Sequence, residues 1–493
     1  MIRCRSFYVI LLFWIVVVIG SACSPTGASN SENTSKVEEE EKASKEEKVE
    51  KENDSSKTSA ADNSMIKSII PMDEEVNPDS MYEMIRYLSE EPREAGTEGE
   101  KRAVDYIERQ FKSLGYETEL QPIPLVDYKE KKRELKIDNK SLEGDIKAFL
   151  GSQVSGKVSA ELVDVGNAYY GEVGDEVNGK IVLIETGSLP FFEQIETVLR
   201  KGAIGVIMYD KMPSGSFDVY VNEEIKIPGV TITHDQGLAI AEQLEKGSVI
   251  ATLDVEVETI NTNSYNVIAT KKPNENNDTG QIVTIGAHHD SVPKGPGAND
   301  DASGVSVVLE LARIFSKKPI DTEIRFITFG AEEIGLVGSS LYVNSLSTEE
   351  KFNIVSHLQL DMVGAAAAGG EHPGGGLMMY TLDGRPNIVT DLAATASIDV
   401  FSEAIPYGES GRSDHEPFHR SEIPAALFIH TPLEPDYHQT SDTIDKISKE
   451  KLKQVTEIVG SAVNTIVSPD TPKITRKGAI PATVEYQYEE REL

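Results

Sequence analysis

From residue 263 to residue 468, short apolar runs alternate with longer stretches of helical spacing. Gln281-Ile-Val-Thr-Ile285 is β-branched and apolar at every position but one or two, which predicts a strand buried on both faces. Residues 305–315 are apolar at helical spacing, so a Gly- and Pro-rich loop turns a strand into a helix there. Further strands are predicted over residues 263–269, 323–329, 357–362, 377–382 and 425–430, and a last helix over residues 449–466. Near the other end, residues 79–90 read as a helix with Met81, Met84, Ile85 and Leu88 on one face. Thr97-Glu-Gly-Glu100 is a capping-box pattern that opens a second helix, and Gly115 suits the position just past its end. Residues 116–124 then read as an edge strand. Such alternation implies an α/β fold, a mostly parallel central sheet flanked by helices.

Residues 130–260 have another rhythm. Short strands are predicted at 160–165, 180–185, 205–209, 230–233 and 250–258, with helices at 192–200 and 236–245. This stretch holds no cluster of histidines and carboxylates, which marks it as a smaller, β-rich, non-catalytic insertion.

The first residues belong to no fold. Arg3 and Arg5 precede an apolar run over residues 7–19, and Gly20-Ser-Ala-Cys23 follows. This is the pattern of a secretory signal, and it resembles a bacterial lipoprotein signal in which Cys23 becomes the lipidated first residue. That resemblance implies an exported chain anchored to the cell membrane on its extracellular side. An ordinary cleaved signal and an uncleaved apolar helix are the alternatives. Cys4 is the only other cysteine, so the mature chain has no disulfide and depends on its core and on metal. Residues 24–67 are polar and charged, with no apolar stripe to bury, and read as a solvated tether. The chain of 493 residues therefore divides into a signal (1–23), the tether (24–67), a first catalytic segment (68–129), the insertion (130–260), a second catalytic segment (261–470) and a polar tail (471–493). A formal net charge of −34 argues against nucleic acid as a partner and favours a cationic substrate end.

Candidate chemistry falls at one edge of the predicted sheet. His288 follows the first strand of the alternation, and Asp300 lies in the loop before the helix. Glu332 and Glu333 follow the strand at 323–329, Asp361 ends the strand begun at 357, and His438 follows the strand at 425–430. Ligands of open α/β sheets sit outside the carboxyl ends of the strands, and imidazole with carboxylate suits a divalent cation. Singly, each residue has an ordinary reading: a helix cap, a solvated acidic pair, a polar loop histidine. Together they form a set that chance seldom places just past consecutive apolar strands. His288 and Asp290 are two residues apart, so extended backbone puts them on one side and His289 on the other. Asp290 is thereby placed to orient His288. Asp301 suits the N-cap of the following helix.

Ala287-His-His-Asp-Ser291, Gly297-Ala-Asn-Asp-Asp-Ala-Ser-Gly304, Ala331-Glu-Glu333, Leu360-Asp-Met362 and Tyr437-His438 resemble the co-catalytic zinc aminopeptidases of the aminopeptidase S and aminopeptidase Y type. Gly179-Lys-Ile-Val-Leu-Ile184, Lys201-Gly-Ala-Ile-Gly-Val-Ile207 and Ile227-Pro-Gly-Val-Thr-Ile232 resemble the protease-associated (PA) domain that those enzymes carry inserted. The resemblance implies a zinc-exopeptidase fold acting on peptides with a free N-terminus, with two zinc ions or other divalent ions. It implies that Asp300 bridges both ions, that His288 and Asp361 complete one site, and that Glu333 and His438 complete the other. It makes Glu332 the general base, and Tyr437 a group that helps hold the tetrahedral intermediate. Asp414 and His415 match a family segment near the substrate pocket and are not assigned to metal. A glutaminyl-cyclase-like or carboxypeptidase-like enzyme of the same fold, with Arg412 as a carboxylate clamp, and a non-catalytic peptide-binding homologue are the competing readings.

Overall fold

The computed structural model describes residues 69–72, 75–274, 276–369, 376–469 and 471–474. The signal with Cys23, the tether, most of the tail and part of the loop at 365–376 lie outside the described residues. The chain forms two compact units, which divide after Gln121 and after Ser264.

The larger unit opens with α1 (Pro78–Leu88) and α2 (Glu98–Ser113). Thr97 caps α2 by accepting from Glu100 N–H, but the Glu100 side chain turns to Gly96 N–H, so the expected reciprocal box is only half made. Gly115 has φ +87°, as the predicted C-terminal position requires. The strand expected to end at residue 124 runs on as β1 (Glu117–Ile137), out of the larger unit and into the smaller.

In the smaller unit β1 folds back on β2 (Lys140–Ser141). There follow β3 (Ile146–Ala148), β4 (Gly156–Asp164), β5 (Ile181–Thr186), α3 (Phe191–Arg200), β6 (Gly205–Asp210), β7 (Gly229–Ile232), α4 (His234–Lys246) and β8 (Ile250–Lys271). Strands β4, β5, β6 and β7 are parallel, and β3 closes the edge antiparallel to β7. Two apolar clusters fill the faces of this sheet, one around Ile207 and Ile232, the other around Phe149 and Ile184. The separate strands expected at 250–258 and 263–269 are one strand, β8, which leads back into the larger unit.

There the chain continues as β9 (Ile282–His288), α5 (Ala302–Phe315), β10 (Glu323–Phe329), α6 (Val337–Ser345), α7 (Thr348–Asn353), β11 (Ile354–Leu360), β12 (Leu377–Thr381), α8 (Ile388–Phe401), β13 (Tyr407–Glu409), α9 (His415–Arg420), β14 (Ala425–His430) and α10 (Lys449–Val467). Strands β14, β11, β9 and β10 are parallel and central. Antiparallel neighbours, β12 beyond β14 and β8 beyond β10, flank them. Every residue of β9 and β11 is buried, which is why their sequences lack the alternation of a half-exposed strand. α1, α2, α5, α8 and α10 contribute to the main core, and a second cluster joins Phe329, Tyr342 and Phe418. Helices α6, α7, α8 and α9 were not expected from the sequence. Among the described residues no helix is long and apolar enough to cross a membrane.

Candidate metal centre

The parallel strands deliver their C-terminal ends to one edge, and the expected residues meet there. His288 is the last residue of β9, Asp361 directly follows β11, and Glu332 and Glu333 lie three and four residues past the end of β10. Asp300 precedes α5, joined to Asp301 by a cis peptide bond. His438 comes from the loop after β14, with φ +58°. Ala331 and Met362, neighbours of Glu332 and Asp361, also have positive φ, a backbone conformation that sites tend to accumulate.

Asp300 divides its carboxylate between two groups. Its Oδ1 is 3.1 Å from His288 Nε2, which is 3.6 Å from Asp361 Oδ1. Its Oδ2 is 3.2 Å from His438 Nε2, which is 3.2 Å from Glu333 Oε2. Within each of these three-residue groups the ligand atoms lie inside 4.8 Å of one another. Asp361 Oδ1 and Glu333 Oε1 are buried without a hydrogen-bond partner among the described residues. A buried acceptor in that state is normally satisfied, and a cation among His288, Asp300 and Asp361 would satisfy Asp361 Oδ1, the oxygen that faces His288. The donor set thus fits two divalent ions.

Charges answer to the same geometry. Burial opposes the charge of Asp300, yet hydrogen bonds from His288 and His438 hold its carboxyl below the usual range. His438 is pushed up to about 10 against desolvation, by hydrogen bonds to Asp300 and Glu333. Burial, with Asp300 nearby, raises Glu333 to about 7. Burial raises Glu332 well above a normal carboxyl, with Asp414, Asp361 and Glu333 adding to it and His288 opposing. Glu332 nonetheless keeps an edge open to solvent.

Asp290 does more than expected. His288 Nδ1 donates to the Asp290 backbone oxygen at 3.2 Å, while the Asp290 carboxylate stands 3.6 Å away. That carboxylate also accepts the backbone N–H groups of Glu332 at 3.0 Å and Glu333 at 3.2 Å. Asp290 therefore positions the glutamate pair, and its backbone sets the His288 ring so that Nε2 faces the site. His289 points away, with Nδ1 3.1 Å from Thr328 Oγ1. Asp301 caps α5 at Gly304 N–H as expected, and also accepts from His288 N–H and Met362 N–H. Tyr437 is partly exposed, and its ring stacks on that of His438 at 3.8 Å.

Several buried residues serve this site without having been singled out. Ser413 donates to Asp361 Oδ2 at 2.8 Å. Asp442 accepts the backbone N–H groups of Asn299 and Asp300 at 2.8 and 3.0 Å. Asn299 accepts from Gly364 and Ala365 N–H and donates to Glu434, and so ties together the loops that carry the ligands. Asn299 had a local signal, its place inside the Gly297–Gly304 motif, while Ser413 directly precedes Asp414 and Asp442 lies four residues past His438.

The model of peptidase family M28 matches residues 266–463, and that of the PA domain matches residues 158–240. Aminopeptidase YwaD of Bacillus subtilis is 36% identical over 408 residues, which are 80% of this chain and 86% of that protein. The chain belongs to peptidase family M28. Two solved structures extend the likeness. An aminopeptidase from Aneurinibacillus sp. strain AM-1 is 46% identical with a TM-score of 0.64, covering 82% of this chain and 97% of its own. BSAP, a zinc aminopeptidase from Bacillus subtilis, is 34% identical with a TM-score of 0.63, covering 80% and 95%. The PA match lies wholly inside the smaller unit, and all the expected metal ligands lie in the M28 match.

Proposed function

We propose that this M28 peptidase is an exported, membrane-anchored aminopeptidase that removes the N-terminal residue from peptides with two zinc ions and Glu332 as general base. The observation that carries the proposal is the division of Asp300, with one oxygen toward His288 and Asp361 and the other toward His438 and Glu333. An imidazole offers one lone pair and cannot bridge in this way, whereas a carboxylate can. His288, Asp300 and Asp361 would hold one ion, and Asp300, Glu333 and His438 the other. When bound, the pair supplies Lewis acidity and makes water a nucleophile at neutral pH. The names of the relatives support zinc as the metal and a free peptide N-terminus as the substrate end.

Glu332 takes the proton of the attacking water and returns it to the leaving amine. Burial raises its affinity for that proton, and Asp290 holds its backbone in place. Tyr437, whose ring stacks on that of His438, is assigned to help hold the developing oxyanion through its hydroxyl. Attachment to the membrane is through Cys23, lipidated at the end of the signal.

The test compares neighbours. Glu332→Gln should retain both metals and lose about 10²–10⁴-fold in kcat, the usual worth of general acid–base catalysis. Glu333→Gln should lose one of the two ions by elemental analysis, with activity partly restored by added zinc. Near-normal turnover of Glu332→Gln would refute the assignment.

A further inference from the structure

Arg93 lies between α1 and α2, far in sequence from every metal ligand, and is fully buried. Among the described residues its guanidinium touches no carboxylate. Nε donates to His289 O at 2.7 Å, Nη1 to Pro296 O at 2.5 Å and to Leu88 O at 3.1 Å, and Nη2 to Gly297 O at 3.0 Å. Its backbone joins the same loop: Arg93 N–H donates to Ser291 Oγ, and Ser291 N–H to Arg93 O. Ser291 Oγ in turn donates to Gly295 O. One side chain is thus wrapped by residues 289–297, a segment that starts directly after His288 and ends three residues before Asp300.

That segment is rich in glycine and proline, with few side chains that could fix its own shape. Gly297 has φ +58°, and a Cβ there would come within 2.2 Å of Asp300 O and 3.0 Å of Arg93 Nη2. Beyond the Ser291–Gly295 hydrogen bond, its conformation is imposed from outside. A guanidinium suits that task, because its donors lie in a rigid plane and reach several carbonyls at once, which an ammonium on a flexible stem cannot do. A buried cation among neutral carbonyls is costly for folding alone, and a hydrophobic residue would fill the space. The charge is answered at a distance by Asp290, Asp300, Asp301 and Asp442, the carboxylates of the metal centre and its supports.

We propose that Arg93 is a positioning residue of the metal centre: it fixes the backbone between His288 and Asp300, and so sets one half-site relative to the bridging carboxylate. This rests on the two-zinc reading above. It acts through the loop and touches no metal.

The experiment uses the full chain with Arg93→Lys and Arg93→Met. Zinc affinity is measured by chelator competition, cobalt-substituted protein is examined by visible absorption, and kcat and KM are determined at saturating zinc. The expected result is about 10–100-fold weaker zinc binding in both variants, the range for residues that orient ligands from behind. An altered cobalt spectrum at full loading, and a fall in kcat with KM little changed, should accompany it. Arg93→Lys keeps the charge, so it carries the test if Arg93→Met does not fold. Variants that melt earlier but match the wild type in zinc affinity, cobalt spectrum and kcat would overturn the proposal by showing a role in folding only. Tighter zinc binding in Arg93→Met would overturn it too, because removing a cation without disturbing the loop strengthens attraction for zinc. A wild type that takes up one zinc or none overturns the two-zinc reading, and this proposal with it, whatever the variants do.

Discussion

Asp300 is charged in spite of its burial because two imidazoles face it, and those imidazoles pay the other half of the exchange by holding protons. Hydrogen bonds to Asp300 and Glu333 raise His438 to about 10 against desolvation, which favours its protonated form below that pH, and His288 shifts in the same direction. A ligating imidazole must be neutral, hence zinc uptake has to expel these protons. Protons compete with zinc at every pH below the raised values, so affinity rises with pH. Zinc affinity should increase roughly tenfold per pH unit for each proton released, since one unit is 1.36 kcal/mol. Calorimetry in buffers of different ionisation enthalpy, between about pH 6 and pH 8 and thus below the His438 value, measures the release. Uptake without proton release would contradict this account of the site. At this scale residue type was informative: the ligands expected from the sequence meet, while Asp290, beside His288 as expected, also takes the backbone N–H groups of Glu332 and Glu333.

Elements matter here because they fix where strand ends fall. β9 lies between β10 and β11, with Gly286 paired to Ile327 on one side and Gln359 on the other. A Cβ at Gly286 would come within 2.6 Å of Gln359 Oε1, 2.8 Å of the Phe329 ring and 2.9 Å of the His357 ring. None of these is the free end of an exposed side chain, since all three residues are buried. Gly286→Ala should therefore destabilise the larger unit by about 1–3 kcal/mol, the usual effect of overpacking, seen as a lower denaturant midpoint. Because β9 ends in His288, zinc affinity should fall with it. An unchanged midpoint would show that the strands can part without strain.

For the whole molecule, the division of labour is the question. Every expected metal ligand lies in the larger unit, and the smaller unit, residues 122–264, matches the PA domain over much of its length. Replacing residues 122–264 with a short linker should leave both zinc ions bound and change the preference for peptide length, measured with a substrate series. Loss of zinc from a folded chain of this kind would refute the separation. Anchoring belongs to the same scale. If lipidated Cys23 holds the chain to the membrane, Cys23→Ser should move the protein from the membrane fraction into the medium. Retention would point to the apolar run at residues 7–19 as an anchor, although a span needs roughly 20 apolar residues.

By itself the sequence determined the alternation of strand and helix, the edge where ligands gather and the residue types that meet there. Periodicity and ligand chemistry are local properties, readable without knowing what packs against what. It did not determine α8, whose Ile388–Phe401 is apolar on most sides and shows no stripe. Nor did it show that residues 250–271 form one strand, because the break in apolar pattern near residue 260 hides an unbroken backbone. Tertiary structure alone decided which oxygen of Asp300 faces which histidine, and which distant groups hold the ligand loops. Arg93 reaches His289 O across 196 residues, and Asn299 reaches Glu434 across 135. Such hydrogen bonds leave no trace in local spacing. They arise only when folding brings the carbonyls and carboxylates of separate loops within about 3 Å, where a buried donor must find an acceptor.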